Sequence, residues 1–190
     1  MDLETLLEQK NNVFNHIFYE FEMYYDTFHA LEKCVNFDEC NLLDKQFCKN
    51  VLIESHATHL RNMIRFFIGQ DGINANNVLV SNPIHCISNW DKKTIIVNNA
   101  ISHLSEARVK ESTGAENLTI KLDGLIRGEY PHMVERIKTF LDTLEDGSMI
   151  VNKYSLDFDS STIRQQYQTL KELYNREIIC ILVPETVTTC

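Results

Sequence analysis

The segment SHATHLRNMIRFF, at residues 55–67, places two histidines and two arginines among residues that otherwise form an apolar helical stripe. A histidine can transfer a proton near neutral pH, and an arginine can stabilise the charge of a phosphoryl group. His59 is therefore a candidate acid or base, and Arg61 is a candidate phosphate ligand. We expect further members of such a site on a neighbouring helix.

On a helical projection the segment separates into an apolar side and a polar side. Helical residues advance by about 100°, so His56 falls within the apolar cluster and His59 at its edge, whereas Arg61 and Arg65 face the other way. A histidine on an apolar stripe is commonly a core residue whose ring bonds to a backbone carbonyl or a carboxylate. A structural role for His56, and a solvated surface role for the two arginines, therefore stay open.

A second polar set lies in the segment NNAISHLSEAR. There His103 lies at the edge of an apolar side, Arg108 points into that side, and Glu106 lies on the polar shoulder. If the two helices are antiparallel neighbours, His59 and His103 lie at the same level, and His56 and Arg108 join them. An unpaired guanidinium on an apolar face is costly, so a buried salt bridge is the alternative role of Arg108.

Apolar spacing and stop signals predict mostly helices. We predict them over 2–34, 39–68, 90–111, 131–145 and 160–179. Gly69 and Gly72 end the second helix, an irregular segment follows over 72–89, and the tail 181–190 is extended after Pro184. Residues 116–130 are predicted as either a short strand pair or a frayed helical turn, because Gly124 and Gly128 weaken both alternatives.

The chain has 190 residues with 44% hydrophobic content, six glycines and three prolines, which favours a few long helices over many short strands. The predicted fold is an all-α bundle of about five to six helices, with long antiparallel helices in the N-terminal two-thirds. We predict one domain over 1–190. Residues 1–111 would supply three long helices with the candidate site, and 112–190 additional helices and the tail.

Composition excludes several functional classes. A net charge of −9 repels a phosphate backbone at long range, so generic coating of DNA is not expected, although a local basic pocket could still recognise a specific nucleic acid. The start MDLETLLEQKNN is not a secretory signal, and no apolar run reaches the roughly 20 residues of a membrane span. The six cysteines form no CxxC pair and are predicted to be thiols in a cytoplasmic protein.

Two separated elements resemble a known pattern. THLRNMIRFF resembles the H-A-R-N-L-x-x-F-F signature of a loose group of uncharacterised bacterial all-helical proteins. In that group an H-L-x-x-x-R element follows, which here corresponds to His103, Leu104 and Arg108. The resemblance covers roughly residues 1–110 and implies an all-α fold without assigning an activity.

A more distant resemblance is to HEPN domains, helical bundles that often act as ribonucleases. Their active site carries an arginine followed four to six residues later by a histidine, and the corresponding positions after Arg61 hold phenylalanines. The segment RGEYPH, from Arg127 to His132, has the spacing. Because Gly128 and Pro131 disfavour a continuous helix there, we interpret this second match as a coincidence.

Our first functional hypothesis is nucleic-acid or nucleotide processing, of the phosphodiester- or nucleotide-hydrolysing, ribonuclease-like kind. His59 and His103 would act as acid and base, and Arg61 and Arg108 would bind phosphate. The ligand would be a specific RNA or a nucleotide. Arg61 faces away from His103, and a dimer could bring both faces of the helix into use.

Two further hypotheses belong to other classes. A metal-binding bundle would use His56, His59, His103 and Glu106, since imidazoles with a carboxylate suit Zn, Fe, Ni or Mn. A non-catalytic homo-oligomer would use the aromatic surface of the first helix, which exceeds what one neighbour needs. The sequence assigns no cofactor.

Overall fold

The computed structural model describes residues 10–35, 42–69, 74–79, 97–98, 115–145 and 161–182. The helices of this part of the chain are α1 (Lys10–Val35), α2 (Leu42–Ile68), α3 (Ala75–Val78), α4 (Ala115–Glu145) and α5 (Ser161–Leu182). No strand occurs among these residues, so the predicted all-α multi-helix bundle with long N-terminal helices is confirmed.

The first two helices follow the predicted apolar spacing. On α1 the buried side chains recur every three or four residues, as at Phe14, Phe21, Tyr24 and Leu31. α2 ends where the sequence predicts, because Gly69 has a φ of 76°, the left-handed conformation that terminates helices. The end of α5 differs slightly from the prediction, since the helix continues past residue 179 to Leu182.

The predicted break between residues 116 and 131 is wrong. α4 continues through Gly124, Gly128 and Pro131 as one helix. Its buried side chains keep helical spacing on both sides of the proline. They include Leu122, Ile126, Tyr130, Met133, Val134, Ile137, Phe140, Leu141 and Leu144. Burial of this continuous apolar face outweighs the local cost of the glycines and the proline.

Much of the predicted third helix lies outside the described residues. Of the range 90–111 the structure describes Val97 and Asn98, which are helical, and Val97 is fully buried. The predicted irregular segment 72–89 contains the short helix α3, and its remaining described residues are 74 and 79.

The chain divides into two compact units. The first, here called the aromatic unit, contains α1 up to Phe21, α2 from Arg65, α3, α4 from Tyr130, and α5. The second, here called the histidine unit, contains α1 from Glu22, α2 up to Ile64, and α4 up to Glu129. The single domain over 1–190 stays a prediction.

The core of the aromatic unit is a cluster of phenylalanines. The ring of Phe21 lies 5.6 Å from that of Phe140 and about 6 Å from those of Phe66 and Phe67, measured between centroids. Phe66 and Phe140 pack edge to face at 5.3 Å. Such edge-to-face contacts stabilise the core beyond the burial of their area.

The aromatic side chains of α1 are largely internal. Phe14, Phe18, Phe21 and Tyr24 are at most 2% exposed, and Phe28 is half-buried. Tyr19 on the same helix is 52% exposed, and self-association through this helix stays a prediction. Among the described helices none combines the length and apolarity needed to cross a bilayer.

Candidate functional site

His56 lies at the centre of the histidine unit and is fully buried. Its ring packs against Tyr24 with centroids 4.5 Å apart and against Phe28 at 5.7 Å. Its Nδ1 atom lies 2.9 Å from the hydroxyl oxygen of Thr27, across the interface of α1 and α2. The structure thus places His56 in the structural role that the sequence left open.

Burial lowers the pKa of His56 to about 3. Burial is the largest cause of this shift, the electrostatic effect of His59 acts in the same direction, and a hydrogen bond to the backbone of Tyr24 acts in the opposite direction. Burying a charged imidazolium among aromatic rings is costly, so the ring is neutral at physiological pH.

The histidine unit holds most of the buried polar side chains found in the described residues. Thr27, His56, His59 and Glu129 are each no more than 9% exposed and all belong to this unit. Tyr24 joins them, because burial raises the pKa of its phenol and the charge of Glu129 raises it further. We call these five residues the buried polar cluster.

Arg61 lies on α2 of the histidine unit and is half-buried rather than solvated. Its Nε atom is buried, and within the described part of the chain it reaches no hydrogen-bond acceptor. The ion pairs found among the described residues do not include Arg61. A partly buried guanidinium that has no counter-charge among the described residues is stabilised by a nearby anion.

Arg127, the first residue of the RGEYPH match, has a different environment. It belongs to the histidine unit and pairs with Glu32 of α1 and with Asp123 one turn earlier on α4. Asp123 also lies 3.8 Å from the ammonium group of Lys49 on α2. Two carboxylates neutralise Arg127, so its guanidinium is less available to a phosphate than that of Arg61.

His132, the last residue of that match, is exposed on α4 in the aromatic unit. Its backbone carbonyl accepts a hydrogen bond from Arg136 at 3.2 Å. Because α4 is continuous, the helix break on which we dismissed the match does not exist. Arg127 belongs to the histidine unit, whereas His132 belongs to the aromatic unit.

The second half of the predicted site lies outside the described residues. This applies to His103, Glu106 and Arg108, and so to the predicted convergence of His59 with His103. The described residues contain no group of three or more His, Cys, Asp or Glu side chains arranged to hold a metal ion. The metal hypothesis therefore depends on residues beyond those described.

Two members of the buried polar cluster, Thr27 and Glu129, were not singled out from the sequence. Thr27 lies between Tyr24 and Leu31 at helical spacing, so the apolar stripe of the first helix already indicated that it was buried. Glu129 lies three residues after Ile126 and four before Met133. That spacing indicates burial only once residues 116–131 are recognised as helical.

Two cysteines in the described residues differ in whether they form a disulfide bond. Cys48 on α2 is an exposed free thiol. Cys180 on α5 is disulfide-bonded, which differs from the prediction that all six cysteines are thiols. Composition could not show this difference, because a disulfide depends on which side chains the fold brings together.

No protein-family model, curated protein or solved structure matches this chain.

Proposed function

We propose that this chain binds phosphate groups of a specific RNA or of a nucleotide through Arg61, with His59 as the group that transfers a proton. The observation that carries the proposal is the shielded Nε atom of Arg61, for which the described residues offer no acceptor. Arg61 is half-buried, so a phosphate at its surface would neutralise the guanidinium, whereas the Nε–H itself is reached only if the side chain moves.

The acidic character of the chain is compatible with this function. A net charge of −9 disfavours long, nonspecific binding to nucleic acid, so affinity would depend on a few defined contacts. Arg61 supplies one such contact. The proposed ligand is therefore a short or structurally defined RNA, or a free nucleotide, rather than duplex DNA.

The helical positions of the two residues add a geometric requirement. His59 and Arg61 are two residues apart on α2, which places them on different sides of that helix. A phosphate on Arg61 would therefore not reach His59 of the same copy, and the two residues would act together only in a homodimer that also exposes the buried ring of His59. The proposed active form is thus a homodimer.

Binding can be tested by fluorescence anisotropy with labelled single-stranded RNA and with a labelled nucleotide. Arg61→Gln keeps a polar side chain and removes the charge, so affinity should fall by about tenfold or more. It should also reduce the salt dependence of binding by about one phosphate contact. Arg176→Gln is the matched control, because Arg176 is an exposed arginine on α5.

If the protein binds neither probe, or if both variants bind like the original protein, phosphate recognition by Arg61 is excluded. Cleavage is tested separately by following the length of the same RNA in the presence of His59→Gln and His132→Gln. Loss of cleavage in His59→Gln alone supports the proposed role. Loss in His132→Gln alone would assign the chemistry to α4, as the HEPN resemblance implies.

A second candidate function is that of a non-catalytic homo-oligomeric interaction protein. It is favoured by Phe47 and Val51, which are 70% and 47% exposed and lie one turn apart on α2. Phe47→Ser should lower the mass measured by light scattering if this pair mediates self-association. Ile179→Ser, at a 56% exposed residue of α5, is the control.

A further inference from the structure

Arg61 and Arg65 lie four residues apart on α2, and both are half-buried. Residues at this spacing are neighbours on one side of a helix, with Cβ atoms about 5 to 6 Å apart. Because both belong to one unbroken helix, that helix alone sets their spacing. Two positive charges therefore lie side by side on the polar side of α2.

A pair of like charges at this spacing costs helix stability, whereas a pair of opposite charges adds to it. Two ion pairs on α4 show the stabilising arrangement, Asp123 with Arg127 and Lys138 with Asp142. On α2, by contrast, no Asp or Glu occupies a position three or four residues from either arginine. Neither arginine takes part in the ion pairs found in the described part of the chain. The repulsion between the two guanidinium groups thus has no counter-charge among these residues.

The end of the helix accounts for one of the two arginines. Arg65 lies in the last turn of α2, where the partial negative charge of the last carbonyl groups stabilises a cation. This effect decreases within the last turn, and Arg61 lies one turn earlier. The helix end therefore gives no reason for a second arginine beside the first.

We infer that Arg65 is a second phosphate ligand, and that the ligand of this chain carries two neighbouring phosphate groups, one for each guanidinium. The inference rests on the proposed function, in which Arg61 is the first phosphate ligand. An anion with two phosphate groups removes the repulsion between the arginines, and each guanidinium can donate two parallel hydrogen bonds to a phosphate. A nucleoside diphosphate and two consecutive phosphates of an RNA strand share this chemistry.

Isothermal titration calorimetry with the four ribonucleoside monophosphates and the four ribonucleoside diphosphates tests the inference. In the original chain we expect a diphosphate to bind about tenfold or more tightly than the corresponding monophosphate, because it gains a second charged contact. Arg65→Gln should abolish this difference. Arg176→Gln is the matched control and should keep it, because Arg176 is an exposed arginine on α5.

Random-sequence RNA oligonucleotides without terminal phosphates distinguish the two sources of the phosphate pair. A dinucleotide contains one phosphate group and a trinucleotide contains two. A gain in affinity from dinucleotides to trinucleotides that Arg65→Gln abolishes would assign the pair to RNA, whereas a gain among the nucleotides alone would assign it to a nucleoside diphosphate. If neither gain occurs, or if Arg65→Gln keeps the gain, the inference is overturned.

A purely structural role of Arg65 predicts a different result. If Arg65 only stabilises the end of α2, Arg65→Gln lowers the urea concentration of half unfolding and leaves the preference for two phosphates unchanged. That result would also overturn the inference. Arg65→Lys keeps the charge but lacks the paired donors, so it should retain only part of the preference, and circular dichroism shows whether each variant is folded.

These measurements separate the inference from the proposed function. If monophosphates bind and Arg61→Gln weakens them, but a second phosphate brings no gain, only the role of Arg65 is refuted. If no phosphate-bearing probe binds, or if Arg61→Gln has no effect, the proposed function is refuted and the role of Arg65 with it.

Discussion

The phenol of Tyr174 on α5 donates a 2.6 Å hydrogen bond to the backbone carbonyl of Phe21 on α1. Both residues are fully buried in the aromatic unit, although 153 positions separate them in the chain. The bond places the polar end of a large aromatic side chain against a helix backbone instead of leaving it unsatisfied in the core.

Removal of that hydroxyl should destabilise the fold. We expect Tyr174→Phe to lower the free energy of unfolding by about 1 to 2 kcal/mol, since one buried hydrogen bond is lost without a cavity. Urea denaturation followed by circular dichroism measures the change. Tyr19→Phe, at a residue that is 52% exposed, should change stability little, and equal effects of the two variants would contradict the assignment.

Replacing a phenylalanine of the buried cluster by alanine should lower the free energy of unfolding far more than replacing an exposed phenylalanine. Phe140→Ala removes a ring that contacts Phe21, Phe66 and Phe67, so we expect a loss of about 3 to 5 kcal/mol. Phe47→Ala changes a side chain that is 70% exposed and should alter stability by less than about 0.5 kcal/mol. Comparing the urea concentrations at which the two variants are half unfolded checks the prediction.

Stability should decrease in acid because of His56. Its pKa is about 3 in the folded chain, below the ordinary value of 6.5, so between these values the unfolded chain binds more protons. The free energy of unfolding should therefore fall by up to about 1.4 kcal/mol for each unit by which the pH is lowered below about 6.5.

Urea denaturation at several pH values measures this slope. His56→Phe should remove the part of the slope that His56 contributes, whereas His132→Gln should leave it, because His132 is exposed. A slope that is the same in the original chain and in His56→Phe would show that His56 is protonated alike in the folded and unfolded states.

Glycine replacements should have opposite effects in α4 and at the end of α2. Gly124 and Gly128 are exposed in α4, and an added Cβ would meet nothing within 4 Å at either position. Each Gly→Ala change there should stabilise the chain by about 0.5 to 1 kcal/mol. Gly69→Ala should destabilise it by about 1 to 2 kcal/mol, because φ at Gly69 is 76°.

The continuity of α4 can be tested at its proline. Pro131 has no N–H to donate to the carbonyl of Arg127, so the helix lacks one bond at its centre. Pro131→Ala should restore that bond and stabilise the chain by about 1 to 3 kcal/mol. If residues 116–130 were not helical, the substitution would bring no such gain in thermal or urea denaturation.

Helix positions were predictable where an apolar face and a stop signal coincide. The helix predicted over 39–68 ends at Gly69 as α2 does, and this termination follows from local rules. The prediction failed at α4, where Gly128 and Pro131 are unfavourable locally. Burial of Ile126, Tyr130 and their neighbours provides the larger, nonlocal contribution, which a segment-by-segment interpretation does not include.

For the candidate site too, some features follow from the sequence and others only from the tertiary structure. The sequence alone identified His56, His59 and Arg61, because the position of a polar residue on a helical projection depends only on spacing. The contact between His56 and the hydroxyl of Thr27 joins residues 29 positions apart on two different helices. Tertiary structure alone decided that relation, since hydrogen bonding and desolvation depend on which distant side chains pack together.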